Sequence, residues 1–178
     1  MITAGLLRAI VAEYRLRLEG VHGLAHWARV LENGARLAPL TGADPRVVEL
    51  FAVFHDARRR NDHRDPGHGR RGAKLAMALR GAHFELDDAA FALLVEACER
   101  HTDGHVSGDV TLLTCWDADR LDLRRCGIVP VPERLGTKAA RRPDLLAWAN
   151  QRAATRFEPA MVRSNWLRML GNVEEGSP

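Results

Sequence analysis

Residues 51–60, FAVFHDARRR, end an apolar run on two adjacent residues that are able to do chemistry, His55 and Asp56. An imidazole nitrogen and a carboxylate oxygen are both suitable ligands for a borderline divalent metal ion. Adjacent helical residues point about 100° apart, yet both can reach one ion that lies between their two directions. The alternative is that Asp56 only pairs with Arg59 or Arg60, because a His-Asp dipeptide alone is weak evidence.

A second set of polar residues follows a helical spacing in residues 21–34, VHGLAHWARVLENG. His22 and His26 are four positions apart, and Arg29 and Asn33 continue the same stripe. Such a stripe is costly inside a protein unless its members are paired. Any one of these residues by itself is more simply a satisfied or half-exposed polar side chain.

A third set lies in residues 115–123, CWDADRLDL, where three aspartates interrupt an apolar segment. Asp119 and Asp122 share a helix face at a spacing of three, whereas Asp117 points elsewhere. Buried carboxylates need a partner, which here is either a metal ion or one of the neighbouring arginines.

Taken in order, the three sets resemble the HD superfamily of metal-dependent phosphohydrolases over roughly residues 21–123. His26 matches that family's first histidine, because it opens an H-x-x-R-V pattern. His55 and Asp56 match the pair that names the family. Asp119 matches its last aspartate, because it stands in an A-D-R-L sequence. Residues 22–34 also resemble a small group of bacterial HD proteins.

The resemblance implies that these four residues hold a divalent transition metal ion (Mn, Fe, Ni, Co or Zn), with Asp117 as the alternative to Asp119. It also implies catalytic roles for Asp56 and His101. The residues that we expect to contact substrate are His22, Arg29, Arg59, His68 and His101. Two of these expectations stay open, since Arg29 could instead brace a carboxylate, and His68 with His101 could instead hold a second metal ion.

The activity implied by the resemblance is hydrolysis of a nucleotide or another small phosphoester, as a phosphomonoesterase or phosphodiesterase, by metal-activated water. The sequence departs from three better-defined HD classes, so it does not identify the substrate. No GYP triplet of the cyclic-dinucleotide class follows the His-Asp pair. The alarmone hydrolases continue A-D-R-L with His-Asn, and the deoxynucleotide triphosphohydrolases continue with a tyrosine, whereas Asp-Leu follows here.

Two other functions compete with catalysis. The first is an HD-fold ligand-binding or scaffolding domain without turnover, although the complete set of four ligands counts against it. The second is an RNA-binding helical domain, suggested by the basic residues of the segment 58–71 and a pI of 9.1. We rank both below hydrolysis, because nucleic-acid binders usually have a wider basic stripe with aromatic residues, and the segment 58–71 has none.

Composition limits the class of protein. The chain has 178 residues and a net charge of +3, with 46% hydrophobic and 28% charged residues, which suits one soluble globular domain. It has no apolar run of about 18 residues, so we expect no membrane span and a cytoplasmic location. Three cysteines without CxxC spacing argue against a disulfide framework or zinc ribbon, and we interpret all three as buried small hydrophobic residues.

Apolar spacing is helical almost throughout, which predicts an all-α, single-domain bundle of the HD type with about six to eight helices. The predicted domain covers residues 1–178, with a motif core at 21–125, C-terminal helices at 143–170 and a tail at 171–178. The predicted helices are 3–18, 21–38, 45–58, 70–80, 87–101, 110–126 and a stretch at 143–170 that Pro159 divides or kinks. The sequence does not determine the oligomeric state.

Overall fold

The computed structural model describes residues 2–171, which contain eight α-helices and no β-strand. The helices are α1 (Ala4–Ala12), α2 (Leu24–Thr41), α3 (Pro45–Phe54), α4 (His68–Leu79), α5 (Asp88–Arg100), α6 (Val110–Arg120), α7 (Pro143–Ala154) and α8 (Leu167–Gly171). Short 3-10 turns occupy Leu123–Cys126 and Pro132–Arg134, and a π-helical turn, Val162–Trp166, leads into α8. The predicted all-α bundle is therefore confirmed.

Local signals account for where several helices begin. The Asp44 carboxylate accepts a hydrogen bond from the backbone of Arg46, and Pro45 takes the first helical position of α3, as its sequence predicts. The Asp87 side chain caps α5 in the same way by accepting from the backbone of Ala90. These caps satisfy donors that the first turn of each helix leaves without a partner.

Two predicted helices near the N-terminus have different bounds. The helix predicted for 3–18 ends at Ala12, and Tyr14, just beyond it, packs edge-on against Trp27 with ring centroids 5.2 Å apart. The helix predicted for 21–38 begins only at Leu24 and continues to Thr41. His22 therefore precedes α2, and the predicted helical stripe through His22 and His26 is wrong.

Two other predicted helices end early, at α3 and α6. After Phe54 and after Arg120 the backbone tightens to bonds of the i→i+3 type, as from Ala57 N–H to the Phe54 carbonyl and from Asp122 N–H to the Asp119 carbonyl. The residues His55, Asp56 and Asp122 therefore lie in turns just beyond the helices rather than within them.

The other bounds are closer to expectation. The starts and ends of α4 and α5 lie within two residues of their predicted positions. Helix α7 ends at Ala154, before Pro159, so the C-terminal stretch is interrupted as predicted. Gly171 belongs to α8 rather than to the predicted tail, and the rest of that predicted tail, 172–178, lies outside the described residues.

One buried hydrophobic cluster runs through the described chain from α1 to the π-helical turn. Its largest fully buried side chains include Trp27, Trp116, Trp166, Phe51 and Phe54. Cys98 and Cys115 are buried as expected, but Cys126 is exposed at the end of its 3-10 turn, so that part of the interpretation is wrong. Among the helices of residues 2–171, none combines the length and the apolar character needed to cross a bilayer.

Close helix packing brings the chemically interesting residues together. Helix α2 packs against both α3 and α6, and α4 packs against α5 and α3. A Cβ atom on Gly34 of α2 would lie 2.3 Å from Val48 Cγ1 of α3, and one on Gly72 of α4 would lie 2.3 Å from the Phe54 carbonyl oxygen. Glycine at these two positions lets the start of α2, the end of α3 and the start of α4 approach one centre.

Candidate metal centre

A buried cluster of histidines and aspartates lies where these elements meet. His26 is in the first turn of α2, His55 and Asp56 follow α3, His68 begins α4, His101 follows α5, and Asp119 lies near the end of α6. The four histidines and Asp56 are each at most 5% exposed. Six residues predicted from separate parts of the sequence therefore share one site.

The tautomers of His26 and His55 follow from their hydrogen bonds. His26 Nδ1–H donates to Asp122 Oδ2 over 2.8 Å, and His55 Nδ1–H donates to the Phe51 carbonyl oxygen over 3.0 Å. Since an ionised carboxylate and a carbonyl can only accept, each neutral ring carries its lone pair on Nε2. The two Nε2 atoms are 3.0 Å apart. Two lone pairs this close repel unless a cation lies between them.

His68 and His101 repeat the arrangement. His68 Nδ1–H donates to the Asp65 carbonyl oxygen over 2.7 Å, and His101 Nδ1–H donates to the Cys98 carbonyl oxygen over 2.8 Å. Their Nε2 atoms are 2.9 Å apart, again with lone pairs face to face. Two ligand atoms that each lie about 2.1 Å from a shared ion are about 3.0–3.4 Å apart, so both pairs are close to the spacing of metal ligands.

Asp56 lies between the two histidine pairs. Its Oδ2 is 3.5 Å from His26 Nε2 and 3.8 Å from His55 Nε2. Its Oδ1 is 3.1 Å from His68 Nε2 and 3.8 Å from His101 Nε2. Two groups that share Asp56, each completed by one histidine pair, therefore have ligand atoms close enough together to hold a metal ion.

Asp119 is a candidate for a fourth ligand of the first group. Its Oδ1 lies 3.6 Å from His26 Nε2 and 3.7 Å from His55 Nε2. The same oxygen is buried and makes no hydrogen bond within residues 2–171. A buried carboxylate oxygen without a donor is costly, so this atom fits a cation as its partner.

Asp122 and Arg29 form a layer behind His26. Besides holding His26, the Asp122 carboxylate accepts from Arg29 Nε over 2.7 Å and from Arg29 Nη2 over 3.0 Å. A carboxylate that orients the far side of a ligating imidazole is typical of metal sites. Of the two roles that the sequence left open for Arg29, the contacts correspond to bracing a carboxylate. Sequence reasoning did not give Asp122 this role, although its spacing of three from Asp119 was a usable signal.

Arg125 is a site residue that sequence reasoning missed. Its Nη2 lies 3.9 Å from Asp56 Oδ2 and its Nη1 lies 3.9 Å from Asp119 Oδ1, while its Nε donates to the Val21 carbonyl. The basic run R-R-C carried no sign of this, because the exposed Arg124 and the buried Arg125 differ only in the direction that the 3-10 turn gives them.

Two residues predicted to contact substrate already have protein partners. Arg59 donates to the carbonyls of Asn61 and His63 and lies 3.3 Å from Asp56 Oδ1, so it fastens the loop after α3 to the cluster. His22 Nδ1 is 2.9 Å from Asp62 Oδ1, at the edge of the site.

Asp117 lies outside the cluster. Its carboxylate accepts from the backbone N–H groups of Gly136 and Thr137 and from the Thr137 hydroxyl, each over 2.8 Å. Burial raises the pKa of this carboxyl above its ordinary value, against the effect of those three donors. Of the two candidate aspartates, the structure thus brings only Asp119 to the histidines.

The electrostatics of the cluster keep its ligands in the forms that bind metal. Burial lowers the pKa of His55 to about 3 and also lowers the pKa of His101, which leaves both rings neutral near pH 7. Burial opposes ionisation of Asp119, but the neighbouring His55 and Arg125 outweigh it and lower its pKa to about 2. Neutral imidazoles and ionised carboxylates are the ligand forms that a divalent ion requires.

Comparisons of the chain with protein-family models, with curated proteins and with solved structures return no match. Functional inference therefore depends on this chain's own residues and their geometry.

The contacts of Asp117 and Asp119 predict opposite outcomes for two matched substitutions. Asp119→Asn should fold normally and lose bound metal. Asp117→Asn should keep the metal but lower the free energy of unfolding by about 1–3 kcal/mol, because an amide –NH₂ would face a backbone donor. Elemental analysis and urea unfolding in the presence of chelator measure the two effects. Loss of metal from Asp117→Asn with an intact fold would contradict the arrangement.

The lowered pKa of His55 predicts that acid destabilises the metal-free protein. Between the ordinary pKa of 6.5 and the folded value of about 3, the unfolded chain binds a proton that the folded chain does not. The free energy of unfolding should therefore fall as the pH drops through this window, and His55 should contribute about 1 kcal/mol between pH 7.5 and 5.5. Urea titrations at both pH values, with chelator, should show that contribution lost in His55→Gln and kept in the exposed-site control His83→Gln. An identical pH dependence in wild type and His55→Gln would refute it.

Proposed function

We propose that this chain is a metal-dependent phosphohydrolase of the HD type that acts on a nucleotide or another small phosphoester. The proposal rests on the two histidine pairs that lie on either side of Asp56. Within each pair the Nε2 lone pairs face each other, across 3.0 Å in His26–His55 and 2.9 Å in His68–His101. The order of the H-x-x-R-V, His-Asp and A-D-R-L motifs supports the same assignment.

Two metal ions suit the cluster better than one. The first group comprises His26, His55, Asp56 and Asp119. The second comprises Asp56, His68 and His101. The His68 and His101 lone pairs face each other at 2.9 Å, and a cation between them would relieve their repulsion. We therefore prefer a second ion to the alternative roles of phosphate binding or proton donation for these two residues. If the second group holds no ion, His101 Nε2 is the atom placed to carry a proton.

The charge balance of the site favours an anionic substrate. Two buried carboxylates, Asp56 and Asp122, and the half-buried Asp119 are matched by three guanidinium groups, Arg29, Arg59 and Arg125. Any divalent ion therefore adds net positive charge to a buried site. A phosphoryl group, which carries up to two negative charges, compensates for that excess.

Bound metal would supply acidified water and would screen the charge that develops on the phosphoryl group. In the overall reaction, the oxygen of water bonds to phosphorus as the bond from phosphorus to the ester oxygen breaks. One proton of that water ends on the departing oxygen, and the products are an alcohol and phosphate.

This chain's own residues have the remaining tasks. Asp122 holds the His26 ring in the tautomer that exposes Nε2, and Arg59 fastens the turn that carries Asp56. The Arg125 guanidinium lies 3.9 Å from both candidate metal-binding carboxylates, Asp56 and Asp119, and its planar fork can bind phosphate oxygens. Among the arginines of the site, Arg125 is therefore a better candidate for phosphate binding than Arg29 or Arg59.

The first test is elemental analysis together with a phosphoester screen. Wild type and the control His83→Gln should contain about two transition metal ions per chain and hydrolyse at least one phosphoester. His55→Gln should lose metal from the first group and at least about 100-fold in turnover, since the activated water depends on that ion. His68→Gln should keep one ion. A fully metallated wild type with no turnover on mono- and diesters would favour the ligand-binding domain, and RNA binding that survives loss of the ligands would favour the nucleic-acid hypothesis.

Arg125 provides a second test. Arg125→Gln should keep its metal and show a KM for the phosphoester that is raised at least about tenfold, because one charged hydrogen-bond partner of the phosphate is lost. Arg124→Gln, an exposed neighbour on the same turn, is the matched control and should behave as wild type. An unchanged KM in Arg125→Gln would exclude Arg125 from phosphate binding.

A further inference from the structure

A cavity of about 490 Å³ opens beside the candidate metal centre. Its walls are the loop after α5, the end of α6 and residues 128–135. This volume is within the usual range of about 300–1,000 Å³ for small-molecule sites, and it is more than a phosphate group alone would need. The cavity therefore has room for the organic group of a phosphoester next to the candidate metal centre.

Solvent-exposed apolar side chains form part of the wall of this cavity. Nine large hydrophobic side chains are exposed in residues 2–171, and four of them line this one cavity. They are Val106 (39% exposed), Ile128 (55%), Val129 (51%) and Val131 (42%). An apolar patch concentrated at a pocket, rather than scattered over a surface, is typical of a ligand-binding site.

The apolar wall is fastened to α6. Asp117 accepts the backbone N–H groups of Gly136 and Thr137, and Arg120 Nη1 donates to the Arg134 carbonyl over 3.1 Å. A Cβ atom on Gly136 would lie 2.6 Å from Leu113 Cδ2, so the segment packs closely on the helix. Residues 134–137, at the C-terminal end of the wall, are therefore held against α6 before any ligand binds.

The cavity reaches the metal centre directly. His101 and Asp119 both line it, and they belong to the second and first metal-binding groups respectively. A phosphoester with its phosphoryl group at the metal centre would extend its organic group into this space. In the lining, His101 is the one side chain with an aromatic ring, so stacking surfaces for a nucleobase are scarce there.

We propose that this cavity binds the apolar organic group of the substrate, so that the preferred substrate is the phosphoester of an apolar alcohol rather than a nucleotide. This proposal rests on the proposed hydrolysis and narrows its substrate class. Val129 and Val131 are the specificity-determining residues, because they present apolar side chains to the cavity without touching the metal-binding groups. The lining also includes the charged residues Arg120, Glu133 and Arg134.

The test compares an apolar with a minimal ligand on the metal-loaded protein. Calorimetry with octylphosphonate and methylphosphonate measures binding without turnover, and octyl phosphate, methyl phosphate and AMP measure kcat/KM. The cavity variant is Val129→Asn/Val131→Asn, which adds no charge that could repel phosphate. Its matched control is Val110→Asn, an exposed valine on α6 outside the cavity.

We expect octylphosphonate to bind wild type at least about tenfold more tightly than methylphosphonate, because several methylenes leave water. The cavity variant should lose about tenfold of that preference, with methylphosphonate binding and metal content unchanged. Wild-type kcat/KM should be higher for octyl phosphate than for AMP. A preference for AMP, or an octyl preference that the cavity variant retains, would overturn the proposed substrate class. Neither result would contradict the proposed hydrolase activity. Absence of any turnover would refute the proposed hydrolase activity. The phosphonate affinities would then show by themselves whether the cavity binds an apolar group.

Discussion

The repulsion between imidazole lone pairs is the constraint on which the rest of the structure depends. His26 and His55 face each other through Nε2 at 3.0 Å, and His68 and His101 do so at 2.9 Å. Neither contact can be a hydrogen bond between neutral rings, because every Nδ1–H is already donated to an oxygen. The fold therefore concentrates electron-rich atoms in its interior, and positive charge between them would stabilise this arrangement.

Helix ends supply the oxygens that impose this geometry. The Phe51 carbonyl near the end of α3 and the Cys98 carbonyl near the end of α5 accept from the histidines that follow. The Phe51 carbonyl also accepts the backbone N–H of His55, so the His55 ring is a second donor to an oxygen that has two lone pairs. A carbonyl in the last turn of a helix can thus orient a histidine placed just beyond it. Phe51 also stacks on the His55 ring, with centroids 4.8 Å apart, and excludes water from that side. One local feature thus gives both the tautomer and the burial.

Helix α6 connects the candidate metal centre with the neighbouring cavity. Asp119 faces the histidines, whereas Asp117, two residues earlier, holds the backbone of residues 136–137. Residues two apart on a helix point to nearly opposite sides, which is why one short segment can serve two purposes. A single turn of α6 therefore contacts both the histidine cluster and the segment that forms the cavity wall.

Apolar periodicity determined the helical class and the approximate helices, and motif spacing singled out His26, His55, Asp56 and Asp119, because both depend on local sequence. Local sequence could not show that α3 and α6 stop at Phe54 and Arg120, since tertiary packing sets those turns. Nor could it separate Arg124 from Arg125. Which of two neighbouring side chains is buried depends on the direction in which the folded backbone points each one, and only the assembled helices decide that.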